Sequence, residues 1–220
     1  MTALATDPDA AGFAAALTTP TGTHWLVDTH GRRTRLPVDR WHAAAEPALR
    51  AVLRRCAGPT LDVGCGPGRV TRALVEAGVT AVGLDVCAEA VRRTRARGAV
   101  ALRRDVFDPL PGEGRWAHAL LIDGNIGIGG DPVALLRRCR DLLRPRGTVV
   151  VEVEPAGPGL WRGVSHLAYR TVDGVSRRGP WFRWARLDER ALPTVAAAVG
   201  LAVHEVTDRD GRRFAVLRRP

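Results

Sequence analysis

The spacing of apolar and polar positions changes twice along the chain. From Pro37 to Arg55, Trp41, Ala45, Ala48, Val52 and Leu53 recur at helical spacing on one broad face. This predicts a helix that Pro47 bends or divides. After Gly58-Pro59 the pattern becomes short β-branched runs alternating with helical stretches, and strands are expected at 60–63, 80–85, 99–105, 117–123 and 148–153. Ala119-Leu120-Leu121-Ile122 and Val149-Val150-Val151 are apolar without alternation, as parallel strands covered on both faces require. Before the fifth strand, Asp131 caps a helix, Pro132 takes its first position and Arg144-Pro145-Arg146-Gly147 stops it. The βαβ rhythm predicts an α/β fold.

Beyond Pro155 the rhythm breaks into residues 156–187, rich in Gly, Arg and Trp, expected to be an irregular or hairpin-like insertion at the substrate site. A helix is expected again at 188–199. Residues 201–206 and 214–217 read as an antiparallel pair around Asp210-Gly211. Residues 1–58 are expected to form an N-terminal helical cap, and 59–220 the main domain.

Leu61-Asp62-Val63-Gly64-Cys65-Gly66-Pro67-Gly68 sets a glycine-rich turn between the first strand and a helix starting near Arg69. Alternate glycines let the backbone bend and offer its N–H groups without Cβ atoms in the way. Asp85 closes the second strand, where an acidic side chain accepts hydrogen bonds from ribose hydroxyls. Asp105 ends the third strand, with Val106 and Phe107 after it, and Asp123 ends the fourth, before Gly124-Asn125. Four strands thus finish in acidic or glycine-rich segments at the carboxyl edge of the sheet, where open α/β folds bind ligands.

These segments resemble the class I S-adenosylmethionine-dependent methyltransferases of the type 11/12 kind. The resemblance rests on LDVGCGPGRVTRAL, VGLDV, RRDVFDPLP and LLRPRGTVVVEVEP; it is close from Thr60 to Pro155 and loose beyond. It implies a Rossmann-like, doubly wound, seven-stranded, mostly parallel sheet with a C-terminal antiparallel strand and helices on both faces. The cofactor it implies is S-adenosylmethionine, with S-adenosylhomocysteine as product. By the same resemblance Gly64, Cys65, Gly66 and Gly68 line the methionine and ribose side, and Asp62 orients the loop or meets the methionine amine. Asp85, with Val86 beside it, holds the ribose; Asp105 and Val106 hold the adenine; Asp123, Gly124 and Asn125 lie beneath the methionine and sulfonium. Arg40 or Trp41 is expected against the methionine carboxylate. The Asn/Asp-Pro-Pro-aromatic motif of amino-directed nucleic-acid methyltransferases is absent, as is a Pro-Cys nucleophile.

Transfer from a sulfonium needs a general base only when the acceptor is protonated. His166 and Tyr169, three apart in the insertion, are expected to share a helical face looking into the pocket, and His24 lies in the N-terminal segment that would cover it. These three are the candidate catalytic residues. Trp161, Trp181 and Trp184 are a candidate apolar wall for a flat substrate.

Composition narrows the chemistry. All 33 basic residues among the 220 are arginine. The absence of lysine excludes Schiff-base catalysis, pyridoxal-phosphate anchoring and a P-loop. The formal charge of +10 is uneven, with an excess of two over residues 1–60, two over 61–155 and six over 156–220. That places the surplus in the expected substrate segment and predicts an anionic acceptor or neighbouring group. Four cysteines without a C-x-x-C pair read as reduced thiols and no metal site is expected. Residues 1–17 lack a signal-peptide pattern and no run reaches the ~18–20 apolar residues of a membrane span, so a cytoplasmic protein without a membrane partner is expected. The leading reading is methyl transfer to O or N of a small molecule in specialised metabolism, with no nucleic-acid partner expected. The rivals are an RNA or protein methyltransferase using the C-terminal arginines, a non-catalytic cofactor binder, and a nucleotide-cofactor oxidoreductase.

Overall fold

In the computed structural model, which describes residues 12–18, 20–157 and 159–219, a short helix α1 (Ala14–Thr18) precedes a hairpin of β1 (Thr23–Asp28) and β2 (Arg33–Leu36). Asp28 shapes the turn, its carboxylate accepting from the N–H groups of His30 at 2.9 Å and Arg32 at 3.0 Å. The segment expected to be a helical cap therefore also contains two strands. Residues 1–11 lie outside the described residues, and with them most of the stretch read for a signal peptide. Pro47 divides the next helical run, giving α2 (Val38–His42) and α3 (Pro47–Leu53).

The chain then alternates β3 (Thr60–Val63), α4 (Arg69–Glu76), β4 (Ala81–Asp85), α5 (Ala88–Ala96), β5 (Val100–Arg103) and β6 (Trp116–Leu121). A tight 3₁₀ turn over Asn125–Gly130 leads to α6 (Pro132–Leu142) and β7 (Leu143–Val153). Asp131 Oδ1 caps α6, accepting from the Val133 and Ala134 N–H groups at 3.0 and 3.2 Å. Two long strands follow, β8 (Leu160–Arg170) and β9 (Ser176–Leu187), then α7 (Leu192–Ala197), β10 (Ala202–Arg209) and β11 (Arg212–Arg218).

Seven strands form one sheet in the order β10-β11-β7-β6-β3-β4-β5. It is parallel from β7 to β5, and β11 runs antiparallel to both neighbours. The unbroken apolar runs fill both faces. Ala119, Leu121, Val149 and Val151 pack with Leu135, Leu136 and Val195 on one side, while Leu120, Ile122 and Val150 pack with Leu49, Val70 and Leu74 on the other. The expected doubly wound α/β architecture is what the chain adopts.

The second sheet, β2-β1-β8-β9, is entirely antiparallel and joins the N-terminal hairpin to the insertion. In its register Leu26 faces Leu167, Ser165 faces Phe182 and Gly163 faces Trp184. Residues 156–187 are thus a hairpin, and His166 and Tyr169 lie on a strand instead of a helix. Three residues apart on a strand means opposite faces, so the shared helical face expected for them does not exist.

Candidate functional site

The carboxyl ends of β3, β4 and β6 and the face of the antiparallel sheet carrying Leu26, Phe182 and Trp184 enclose a cavity of about 720 Å³. Cavities of ~300–1,000 Å³ are usual for small-molecule sites. Its two ends differ in chemistry.

The polar end is the glycine turn and the strand termini. Gly68 has φ +86 at the start of α4, and a Cβ there would lie 2.6 Å from Thr94 Oγ1; a Cβ on Gly64 would lie 2.6 Å from Asn125 Nδ2. Those two glycines serve packing. Gly66, at φ +51, has open space where a Cβ would stand, so here the backbone is bare toward the cavity. Asp85 sits behind it, accepting from Gly66 N–H at 3.0 Å and Cys87 N–H at 2.8 Å, and burial raises its carboxyl above the usual range. Asp62 is deeper, accepting from Thr71 Oγ1 at 2.6 Å, and burial pushes it up to about 6. Asp105 accepts from the Phe107 N–H at 2.9 Å, shaping a corner whose Val106 and Phe107 line the cavity. Asn125 ties the floor together, donating to the carbonyls of Val63 and Gly64, both at 2.8 Å.

Asp62, Gly64, Cys65, Gly66, Asp85, Val86, Asp105, Val106, Asp123, Gly124 and Asn125 all line the cavity, whereas Gly68 lies behind the lining. Arg40 and Trp41 line it too, and the Arg40 side chain has no hydrogen bond or ion pair among the described residues. The fit to a nucleoside-bearing cofactor rests on three observations: a bare backbone at Gly66, a buried carboxylate behind it, and apolar side chains at the Val106-Phe107 corner. The Cys65 thiol is buried and burial raises its pKa, which removes it as a nucleophile.

Beneath this floor runs an ionic network that sequence reasoning missed. Asp123, at φ 57, accepts from Arg69 Nη2 at 2.6 Å and from Arg212 Nη2 at 3.1 Å. Arg212 also donates to Glu152 at 2.8 and 2.6 Å, Glu152 accepts from the Asp123 N–H at 2.7 Å, and Glu46 binds both arginines. Burial raises the Asp123 carboxyl, and Arg69 opposes this. Asp123 is therefore a tied member of a ring that also lines the cavity. Arg69, directly after the glycine turn, was in view in the sequence; nothing local marks Arg212 as its partner.

The other end is apolar, lined by Phe13, Leu26, Leu36, Ile128, Phe182 and Trp184. None of the six histidines lines the cavity, and neither does Tyr169. His24 is stacked on Tyr169 with ring centroids 5.6 Å apart, and both its ring nitrogens are buried without a hydrogen-bond partner. His166 stands on the opposite face, in edge contact with Trp181 at 4.5 Å. Of the three expected wall residues, only Trp184 reaches the cavity.

The glycine run after β6 has a packing role. A Cβ on Gly127 would lie 2.3 Å from the Ala185 carbonyl and 2.6 Å from the Trp184 ring, and one on Gly130 would lie 3.0 Å from Arg183 Cβ. Small residues here let β9 dock on the cofactor floor.

Residues 60–147 match the family model described as a methyltransferase domain. That match spans less than half of the chain, and with the seven-stranded sheet it marks the fold as that of the class I S-adenosylmethionine-dependent methyltransferases. Among solved structures, the chain is similar to an S-adenosylmethionine-dependent methyltransferase from Bacteroides fragilis in complex with S-adenosylhomocysteine. That likeness has a TM-score of 0.72 at 22% identity and covers 96% of this chain and 94% of that one. It is also similar to the 1,6-didemethyltoxoflavin-N1-methyltransferase of Burkholderia thailandensis (TM-score 0.54, 20% identity, 79% of each chain). A third likeness is to CalS10, an amino pentose methyltransferase from Micromonospora echinaspora (TM-score 0.55, 20% identity, 82% of this chain and 92% of that one). Among curated proteins, none matches this sequence.

Proposed function

We propose that the protein is an S-adenosylmethionine-dependent methyltransferase that methylates a nitrogen of a small, uncharged molecule. The observation that carries this is the lining of the cavity. It contains no histidine, the side chain that ordinarily titrates near neutrality, and Asp62, pushed up to about 6, is buried and held by Thr71 at 2.6 Å. A hydroxyl acceptor needs such a base, whereas a nitrogen with a free lone pair at neutral pH does not. The carboxylates at the acceptor end are already held: Asp131 by Arg162 at 2.9 Å, Glu152 by Arg212, and Glu154 by Arg186 at 2.7 Å.

The same pairs bear on charge. Of the six insertion arginines expected to favour an anion, only Arg183 and Arg186 line the cavity, and Arg186 is taken by Glu154. Arg35 and Arg104 line it from other segments, so the C-terminal surplus behind the anionic acceptor expected from the charge count reaches the cavity at two positions only, and we take the acceptor as uncharged. The enclosure by two sheets suits a small molecule better than RNA or protein. Two of the similar structures bear names of small-molecule methyltransferases, one of them nitrogen-directed.

When bound, S-adenosylmethionine supplies an activated methyl on its sulfonium. In this reading Asp85 accepts the ribose hydroxyls, Asp105 and Val106 border the adenine, Gly66 gives the backbone close approach, and Arg40 pairs with the methionine carboxylate. The antiparallel sheet holds the acceptor and excludes water, and positioning an acceptor atom ~3 Å from the methyl supplies most of the acceleration.

Two measurements test this. Titration calorimetry with S-adenosylhomocysteine should show Asp85→Ala weakening binding roughly a hundredfold, as expected for two hydrogen bonds to a charged group; preference for NAD, or no loss, overturns the cofactor roles. Methyl-labelled S-adenosylmethionine incubated with a cell extract should label the small-molecule fraction. Label confined to RNA or protein overturns the acceptor class.

A further inference from the structure

Resting on that reading, we infer that the acceptor's methylated portion is a planar aromatic ring, held against a wall of Phe13, Phe182 and Trp184. These rings come from the N-terminal segment and from β9. Their centroids lie 5.0 Å apart for Phe13–Phe182, 5.2 Å for Phe13–Trp184 and 5.9 Å for Phe182–Trp184, the last pair crossing at 86°. Aromatic pairs favour such tilted and edge-on arrangements at 4.5–7 Å, so a flat ligand adds a further ring to the cluster with the same geometry.

The wall is built rather than incidental. A Cβ on Gly12 would lie 2.5 Å from the Phe182 ring and one on Gly127 2.6 Å from the Trp184 ring, so each large side chain sits against a glycine. Phe182 and Trp184 alternate on β9 opposite the small residues Ser165 and Gly163, and Trp161 fills the space over Gly163 beside them. Leu26, Leu36 and Ile128 complete this end, so it offers a ligand apolar surface and ring faces. Trp161 folds over Gly163 and packs against the cluster without lining the cavity, and Trp181 faces the other side of the sheet.

The probes are 2-naphthol and decahydro-2-naphthol, two neutral bicyclic alcohols that differ in planarity, titrated against the full chain with saturating S-adenosylhomocysteine. The saturated compound has no π-face, so a generic greasy pocket binds the two alike or favours the saturated one. The wall predicts that the planar ring binds roughly five- to tenfold tighter. Trp184→Leu keeps apolar bulk and removes the ring, and should shrink that preference to twofold or less without changing affinity for S-adenosylhomocysteine. Phe182→Leu is the second variant if Trp184→Leu fails to fold. Equal binding of the two probes, binding of neither, or a preference that survives both substitutions overturns the inference. Failure of the parent protein to bind S-adenosylhomocysteine instead overturns the cofactor assignments, a result the same titration separates.

Discussion

Along the carboxyl edge of the parallel sheet, Asp62, Asp85, Asp105 and Asp123 meet the cavity with carboxylates tied to backbone amides, a hydroxyl or arginines, whereas the antiparallel sheet meets it with the apolar Leu26, Leu36, Phe182 and Trp184, bordered by Arg35, Arg183 and Arg186. The first half binds through fixed hydrogen-bonding groups, which demand an exact backbone. The second binds through packed apolar surface, which tolerates exchange of side chains as long as volume is kept. One half is built for a constant ligand and the other for a variable one.

The network of Glu46, Arg69, Asp123, Glu152 and Arg212 is where that division is most exposed to damage, because it reaches from the cofactor floor to the C-terminal hairpin. Arg212→Ala would leave three carboxylates sharing one guanidinium. Removing one partner of a buried ion pair costs about 3–5 kcal/mol, and Arg212 is only 10% exposed. Urea unfolding should show a loss of that size, with little recovery in Arg212→Lys, since lysine lacks the fork that binds Glu152 through two nitrogens. A loss under about 1 kcal/mol would mean that the hairpin is not tied to the site.

Gly127→Val tests the joint between the halves. The added side chain meets the Ala185 carbonyl and the Trp184 ring, and overpacking of this kind costs about 1–3 kcal/mol. Acceptor turnover should fall about tenfold while affinity for S-adenosylhomocysteine changes less than threefold. Equal losses in both would show that the two ends of the cavity are one unit.

The halves also differ in how plainly the sequence displays them. β3 is read correctly at Thr60–Val63, α4 starts at Arg69, Asp131 caps α6 and Pro47 separates α2 from α3. Each of these follows from neighbours within a few residues: a glycine turn, a cap, a proline. The antiparallel sheet does not, because β1 pairs with β8 across most of the chain's length. Its hairpin did carry a local signal, alternating residues on either side of Asp28 and Gly31. Helical spacing puts His166 and Tyr169 on one face, whereas the period of 2 on their strand puts them on opposite faces. The Arg212–Asp123 contact joins residues 89 apart and has no local counterpart.

The smallest predicted effect sets the two sheets against each other in pH. Burial, with His42 nearby, lowers the pKa of His24 below its ordinary 6.5, so the unfolded chain takes up a proton there more readily than the folded one. Its contribution is therefore lost as pH falls below about 6.5. On the parallel sheet the sign is opposite: Asp62, pushed up to about 6, holds its proton in the folded state where the unfolded carboxyl has released it, so stability rises as pH falls from about 6 toward 4. His24→Phe keeps the stacking on Tyr169 and removes two buried nitrogens without partners, a change worth about 1 kcal/mol in favour of folding at pH 7. Between pH 7 and 5 its urea midpoint should fall less than that of the parent protein. Asp62→Asn should do the reverse, leaving the histidines unopposed and the fall steeper. Parallel pH profiles for all three proteins would show that neither residue sets the acid response, and that the chemical contrast between the sheets ends at ligand binding.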